Sequence, residues 1–301
     1  MTEFEFKLPL AQTPLDRDYK LRDQLNWTSE VLNVPSTKLL PMSNQKVLLH
    51  QDGALRFVES GRVTTAEYVY LGKETDSGSA VVLAILGDAE AHELEPDEGN
   101  WHELRKSGLG LSPDEASIFT QALSLANWHA SHQFCPTCGA STESIRAGWV
   151  RRCTADGREL FPRTDPAIIV AVIDEQDRIL MGSQGVWEEN RFSILAGFVE
   201  PGESLTAAVK REMFEEAGVH VSDIRYLGSQ AWPFPYSLML GFTARYAGGD
   251  AIPDGEEIVK LRWFSRGELR AEAASLKLPG RLSIARAIIE HWLGSPLETE
   301  V

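Results

Sequence analysis

The chain is short of the features that mark secreted, membrane-bound or nucleic-acid-coating proteins. It has only three cysteines in 301 residues, an odd number that cannot all pair within the chain, so a disulfide framework is excluded as its organising principle. No run approaches the ~18 apolar residues of a membrane helix. The opening MTEFEFKLPL lacks a basic stretch followed by an apolar core, so no targeting segment is expected and a cytoplasmic location is. Basic residues are outnumbered, with a net charge of -15. That argues against a broad electrostatic grip on nucleic acid. It leaves room for polyanionic ligands wherever a bound divalent cation reverses the local sign. With 43% hydrophobic and 24% charged residues, the balance is that of a globular protein long enough for about two domains.

Residues 1–110 read as mostly β, with short apolar runs such as Val47–His50 and Ala80–Leu86 between Gly, Asp and Ser turns. The stretch Asp88–Asn100 holds six acids and His92 and reads as a solvated loop. Ser112-Pro113-x-Glu115 is a capping box with proline at the first helical position, and Ile118, Ala122 and Leu125 follow at helical spacing. His129 and His132, near its end, are expected to be structural. From Pro166 the pattern changes. Ile168–Ile173 reads as a buried strand, Arg178–Met181 and Ser193–Val199 as two more, and Leu205–Ala217 as an amphipathic helix ended by Gly218. Strands are expected over Ser229–Tyr246 and Ile258–Phe264, and a last helix over Ser283–Leu293.

Cys135-x2-Cys138, fourteen residues, then Cys153 has metal-site spacing. A four-cysteine ribbon would set its last ligand three residues on, where Asp156 stands. Three thiolates are an incomplete tetrahedral set for Zn²⁺, and aspartate is an acceptable fourth ligand; His132 and Glu159 are alternatives. Gly139 and Gly157 allow the tight turns that direct ligands inward. A structural zinc on Cys135, Cys138, Cys153 and Asp156 is therefore expected, the competing reading being a metal-free ribbon with buried thiols.

The most informative stretch is GFVEPGESLTAAVKREMFEEAGV, Gly197–Val219. Glu212, Glu215 and Glu216 stand at i, i+3 and i+4, so they share one helix face and repel one another. A hard divalent cation such as Mg²⁺ would offset that repulsion. Pro201-Gly202 turns the chain so that Glu203 lies close to the helix start, and Arg211 is placed to orient a carboxylate. Metal ions can neutralise a pyrophosphate, position a water and lower its pKa, and a glutamate can take the proton. Glu216 is the first choice for that base and Glu257 the alternative.

This stretch matches the Nudix signature, G-x5-E-x7-R-E-U-x-E-E-x-G-U with U apolar, at every fixed position, so the chain resembles the Nudix hydrolases. The resemblance implies an α/β (α+β) fold with a mixed sheet between helices. It also implies hydrolysis of a nucleoside diphosphate linked to another moiety, with Mg²⁺ or Mn²⁺ on Glu212, Glu215 and Glu216 and assistance from Glu203. A second motif, SQAWPFPYS at Ser229–Ser237, alternates aromatics with prolines and reads as a rigid, extended segment, or, taken alone, as a packed surface turn. It resembles the SQPWPFPxS array of the NADH pyrophosphatase family, with Ala231 in place of a proline. DGEEIVKLRWF at Asp254–Phe264 resembles that family's strand with a further metal-linked and catalytic glutamate, Glu257. SIAR at Ser283–Arg286 resembles its last-helix start.

That second resemblance implies cleavage of NADH or NAD to nicotinamide mononucleotide and AMP, removal of NAD caps from RNA in some members, and a homodimer. It places Phe198, Gln230, Trp232, Phe234, Ser237 and Ala285 at the substrate, a flat base suiting a stack between Phe198 and Trp232. The expected organisation is a β-rich N-terminal domain over 1–125, a zinc-ribbon-like module over 126–163 and a Nudix domain over 164–301. Two rivals stand beside it. One is a Nudix hydrolase of ADP-ribose or a related nucleotide. The other is a non-catalytic nucleotide sensor, against which every signature acid is intact.

Overall fold

The run of apolar residues at 168–173 lies inside a nine-residue strand, Asp165–Ile173, whose alternate side chains enter two different cores. The computed structural model describes residue 4 and residues 8–12, 14–63 and 66–298. They fall into two units by contact: residues 1–11, 165–231 and 237–301 in one, and 12–164 with 232–236 in the other.

In the first unit a mixed sheet runs in the order Val219–Trp232, Ser237–Gly249, Asp165–Ile173, Ile179–Gln184, Ile258–Phe264, with Leu195–Phe198 also paired to the central strand. Ser237–Gly249 lies parallel to that central strand and Leu195–Phe198 antiparallel. Ile168, Val170 and Val172 pack with Ala208, Val209, Met213 and Ala217 of the helix Leu205–Ala217. Ile169 and Ala171 pack with Ile284, Ile288, Ile289 and Trp292 of the helix Ile284–Leu293. A strand covered on both faces has no polar alternation to show, which is why this one reads as a continuous apolar run. Burying each such side chain stabilises by roughly 1.5–3 kcal/mol. The expected mixed sheet between helices is what forms.

In the second unit a six-stranded sheet has the order Leu15–Asp16, Glu67–Glu74, Ala80–Ile85, Lys38–Ser43, Lys46–Leu48, Trp101–Glu103. Helix Pro113–Ser131 starts at the Ser112–Glu115 capping box. A three-stranded sheet, Thr142–Ile145, Val150–Cys153 and Glu159–Leu160, follows. His129 is buried and structural. Its Nε2 meets the Gly148 carbonyl at 2.8 Å and its Nδ1 lies 2.9 Å from Glu67.

Two expectations need correction. Asp88–Asn100 is no loop: Asp88–Leu94 is a helix that buries Ala91, and Glu98–Asn100 is a 3-10 turn. Its acids lie on the outside of a helix too short for a periodic pattern to show. SQAWPFPYS is not extended throughout. It runs as strand to Trp232, turns over 233–236 and resumes as strand at Ser237. A proline's fixed φ suits a turn as well as an extended segment. Among the described residues no helix is long and apolar enough to cross a membrane.

Candidate active site and metal sites

The signature helix is capped by the Ser204 side chain on the Ala207 N–H and ends at Gly218, φ 65°. Its Glu212, Glu215 and Glu216 are graded in burial: Glu216 is 5% exposed, Glu212 9%, and Glu215 lies in solvent. Arg211 donates five hydrogen bonds around them. Nη1 reaches Glu212 Oε1 at 2.8 Å and Glu215 Oε2 at 3.0 Å, Nη2 reaches Glu203 Oε1 at 2.6 Å and the Phe198 carbonyl at 3.0 Å, and Nε reaches Glu203 Oε2 at 3.1 Å. One guanidinium thus ties the loop holding Glu203 and the end of strand Leu195–Phe198 to the acid face, which lysine could not do.

Gly197 faces Glu212 so closely that a Cβ there would lie 2.1 Å from the Glu212 carboxyl carbon. The signature glycine is the space the carboxylate occupies. Glu216 is different again, because its Oε2 is buried and has no hydrogen-bond partner. Burial, then the charges of Glu212, Glu257, Asp254 and Glu215, pushes its carboxyl up to about 8. Burial also raises Glu212, against the opposing Arg211 guanidinium. Glu203 is held below the usual carboxylate range by Arg211 first and by the Glu200 N–H. A buried, unpartnered carboxylate oxygen beside further carboxylates is a costly arrangement without a counter-charge. The donor set is all hard oxygen, so it fits a Mg²⁺-type cation.

Glu257 lies exposed in the turn before strand Ile258–Phe264. Asp254 shapes that turn. Its carboxylate accepts from the N–H groups of Ile258 at 2.8 Å, Glu257 at 3.1 Å and Glu256 at 3.3 Å. Although burial works to raise it, these N–H groups hold Asp254 below its usual value. Sequence reasoning gave Asp254 no role; the signal was an aspartate able to cap its own turn.

The other residues expected at the substrate differ in their settings. Phe198 is 60% exposed at the end of its strand. Gln230 is buried and engaged, its Nε2 donating to the Pro9 and Leu282 carbonyls and its Oε1 accepting from the Ile284 N–H. Ala285 is buried in the core under its helix, its N–H on Ser283 Oγ at 3.1 Å. Ser237 opens its strand, half-buried. Trp232 and Phe234 belong to the second unit, unlike Phe198. Their rings meet edge-on at 4.9 Å, with the Arg105 guanidinium 4.0 Å over Phe234. Asn127 holds the turn by donating to the Pro233 carbonyl at 3.0 Å and the Pro235 carbonyl at 3.2 Å.

In the three-stranded module, donor atoms of Cys135, Cys138, Cys153 and Asp156 all lie within 4.8 Å of one another. The Cys138 and Cys153 sulfurs are 3.4 Å apart, close to the ~3.8 Å edge of a tetrahedron with ~2.3 Å Zn–S bonds. Two turns build the cluster and repeat bond for bond. Gly139 N donates to Cys135 O at 2.9 Å and Gly157 N to Cys153 O at 3.0 Å. Cys135 N donates to Ala140 O at 2.7 Å and Cys153 N to Arg158 O at 2.9 Å. Both glycines have positive φ, 72° and 73°. Asp156 therefore sits in the second turn where Cys138 sits in the first. Hydrogen bonds from the Thr137 and Cys138 N–H groups lower the Cys135 thiol to about 7. His132 is engaged by Ser131 and the Trp128 carbonyl.

Comparison with known proteins agrees in three segments. A NUDIX domain model matches residues 163–285, an NADH pyrophosphatase zinc ribbon domain matches 130–161, and an NADH pyrophosphatase-like rudimentary NUDIX domain matches 36–128. The chain is 39% identical to the NAD-capped RNA hydrolase NudC of Mycobacterium tuberculosis (strain H37Rv), over 94% of each chain. It is 35% identical to the protein of that name from Pseudomonas syringae pv. tomato, over 89% of this chain and 93% of that one.

Proposed function

Because the chain belongs to the Nudix hydrolases, in the family that joins a rudimentary Nudix-like domain, a zinc ribbon and a Nudix domain, we propose that it hydrolyses the pyrophosphate of NADH and NAD. The products are AMP and nicotinamide mononucleotide, the latter in its reduced form when NADH is cleaved, and the same reaction removes NAD caps from RNA. The observation that carries the reading is the buried, unpartnered Glu216 oxygen within an intact signature whose acids one arginine organises. The names of the relatives support the choice of substrate.

Glu212, Glu215 and Glu216 would hold Mg²⁺ or Mn²⁺, with Glu257 completing the acid set from the neighbouring turn. Such a cation, when bound, supplies charge neutralisation and a water of lowered pKa. Glu203 acts through Arg211, fixing the guanidinium that fixes Glu212 and Glu215. Glu216 takes the proton of the attacking water, with Glu257 as the alternative. Phe198 offers an aromatic face to a base. Zinc on Cys135, Cys138, Cys153 and Asp156 is structural. The protein acts as a cytoplasmic homodimer, a reading tested by its mass in light scattering.

The deciding experiment is mass spectrometry of products from NADH, NAD, ADP-ribose and NAD-capped RNA with Mg²⁺ or Mn²⁺. Reduced nicotinamide mononucleotide and AMP from NADH, nicotinamide mononucleotide and AMP from NAD, and 5′-monophosphate RNA from the capped RNA, are expected. Cleavage of ADP-ribose alone would overturn the reading.

A further inference from the structure

A cavity of about 660 Å³ opens in the second unit, lined by none of the Nudix acids and by none of Cys135, Cys138, Cys153 and Asp156. Arg22, Arg146 and Arg152 line it, together with Trp27, Tyr68 and Ile145. Its size is that of a small-molecule site.

The arginines are unequally occupied. Arg152 is held by Glu143 at 2.6 Å. Arg22 is not matched: its Nε is buried without a hydrogen-bond partner, and Nη2 reaches only the Arg17 carbonyl at 3.4 Å. Its guanidinium lies 3.6 Å over the Trp149 ring, and the Arg17 guanidinium lies 5.8 Å from the same ring. Two like charges therefore converge on one aromatic ring. Burial first, then Arg17, makes the Arg22 proton easier to lose. Asp18 also acts on Arg22, but its carboxylate is taken by Lys73 at 2.7 Å and the Tyr70 hydroxyl at 3.1 Å.

The acids of the wall do not fill the gap. Glu67 is turned to Arg151 at 2.7 Å and His129 at 2.9 Å. Asp23 and Glu159 stand 3.6 and 3.4 Å from Arg146, longer than the ~2.7–2.9 Å of a charge-assisted hydrogen bond. Arg146 is presented by a turn in which it and Ala147 both adopt left-handed backbone, φ 49° and 52°. Side-chain-bearing residues rarely hold that conformation in succession. The His129 bond to the Gly148 carbonyl pins the turn.

We propose that this cavity binds an organic phosphate of nucleotide size. Two guanidinium groups from different segments, each with unspent donors, suit the several acceptor oxygens of a phosphate. The cavity is much larger than a bare phosphate. Trp27, Tyr68, Ile145 and Leu25, the last 97% exposed, give the attached ring an apolar seat. The inference rests on this unit alone and is independent of what the Nudix site hydrolyses.

The test is calorimetric titration of the full-length protein with AMP and with inorganic phosphate, in buffer without Mg²⁺ or Mn²⁺ and without chelator, so that the Nudix acids are left without added metal and the zinc module beside the cavity stays intact. Saturable AMP binding is expected, weakened at least ~10-fold by Arg22→Met and by Arg146→Ala, with turnover in Mg²⁺ unchanged. Arg146 is about half exposed, so its variant keeps the test sound if Arg22→Met disturbs folding. Phosphate is expected to bind at the same residues, more weakly than AMP. No AMP binding in the unmodified protein, or AMP binding unaffected by both substitutions, overturns the proposal. So does phosphate binding as tight as AMP, which leaves the ring unrecognised. Loss of NADH turnover with AMP binding retained would count against the catalytic reading alone.

Discussion

Gly197 and Glu212 are matched as space and occupant. A methyl group on Gly197 would sit 2.1 Å from the Glu212 carboxyl carbon and 2.2 Å from its Oε1. Gly197→Ala must push the carboxylate off its position or bend the strand. Turnover is expected to fall by ~100-fold, the scale of an ångström's misplacement in an active site. Stability is expected to fall by only ~1–3 kcal/mol. Steady-state kinetics beside thermal melting checks this, and a well-folded variant of normal turnover would show that Glu212 need not stay where it is.

Glu216→Gln is expected to keep the fold and lower turnover at least ~100-fold. The same residue makes the metal-free protein sensitive to pH. The folded state holds this proton until about pH 8, whereas an unfolded chain releases it near ~4.3. The folded state therefore binds more protons between those values. The contribution to stability is full below the unfolded value and is lost as pH rises through about 8. Melting temperatures in EDTA should decline over that window, and Glu216→Gln should flatten the decline. A profile that the substitution leaves unchanged refutes the assignment.

Arg211→Lys is expected to be far from neutral. The guanidinium makes five hydrogen bonds to Glu203, Glu212, Glu215 and Phe198; an ammonium has three donors and no fork. A fall of at least ~10-fold in kcat/KM, with a higher Mg²⁺ requirement, is expected. Kinetics across a Mg²⁺ titration measures both, and an unchanged Mg²⁺ requirement would mean that Arg211 does not set the acid face.

Zinc content follows from the repeated turn. Protein purified without added metal should carry near-stoichiometric zinc that is lost in Cys153→Ser. Asp156→Cys should release zinc to a chelator more slowly, because thiolate is the softer ligand. Metal analysis with a colorimetric chelator gives both readings. Absence of zinc from the unmodified protein would refute the site.

Much of this was legible in the sequence, for local reasons. The capping box at Ser112 and Glu115, the helix ended by Gly218 and the doubly buried central strand each write their own periodicity or punctuation into a few neighbouring residues. The spacing of Glu212, Glu215 and Glu216 gave the acid face, but not their graded burial, which depends on strand Leu195–Phe198 and the turn at Asp254. The turn at 233–236 was one of two readings of its motif, and the sequence could not choose between them because its decisive partner, Asn127, lies more than a hundred residues away. The helix at Asp88–Leu94 was hidden by its acids, since one buried alanine leaves no pattern. Gln230, read from a motif, is tied to Pro9, Leu282 and Ile284 by contacts that no local pattern encodes.

The order in which the chain visits its two units has a practical consequence. Residues 1–11 belong to the first, 12–164 to the second, 165–231 to the first, 232–236 to the second and 237–301 to the first again. Gln230 clasps the Pro9 carbonyl, and Asn127 clasps the turn after Trp232. No single cut therefore yields two intact halves. A protease nick near residue 164 leaves 12–164 and 232–236 of the second unit on different fragments. In its connectivity the chain is laced rather than strung, each unit drawing its residues from more than one stretch of the sequence.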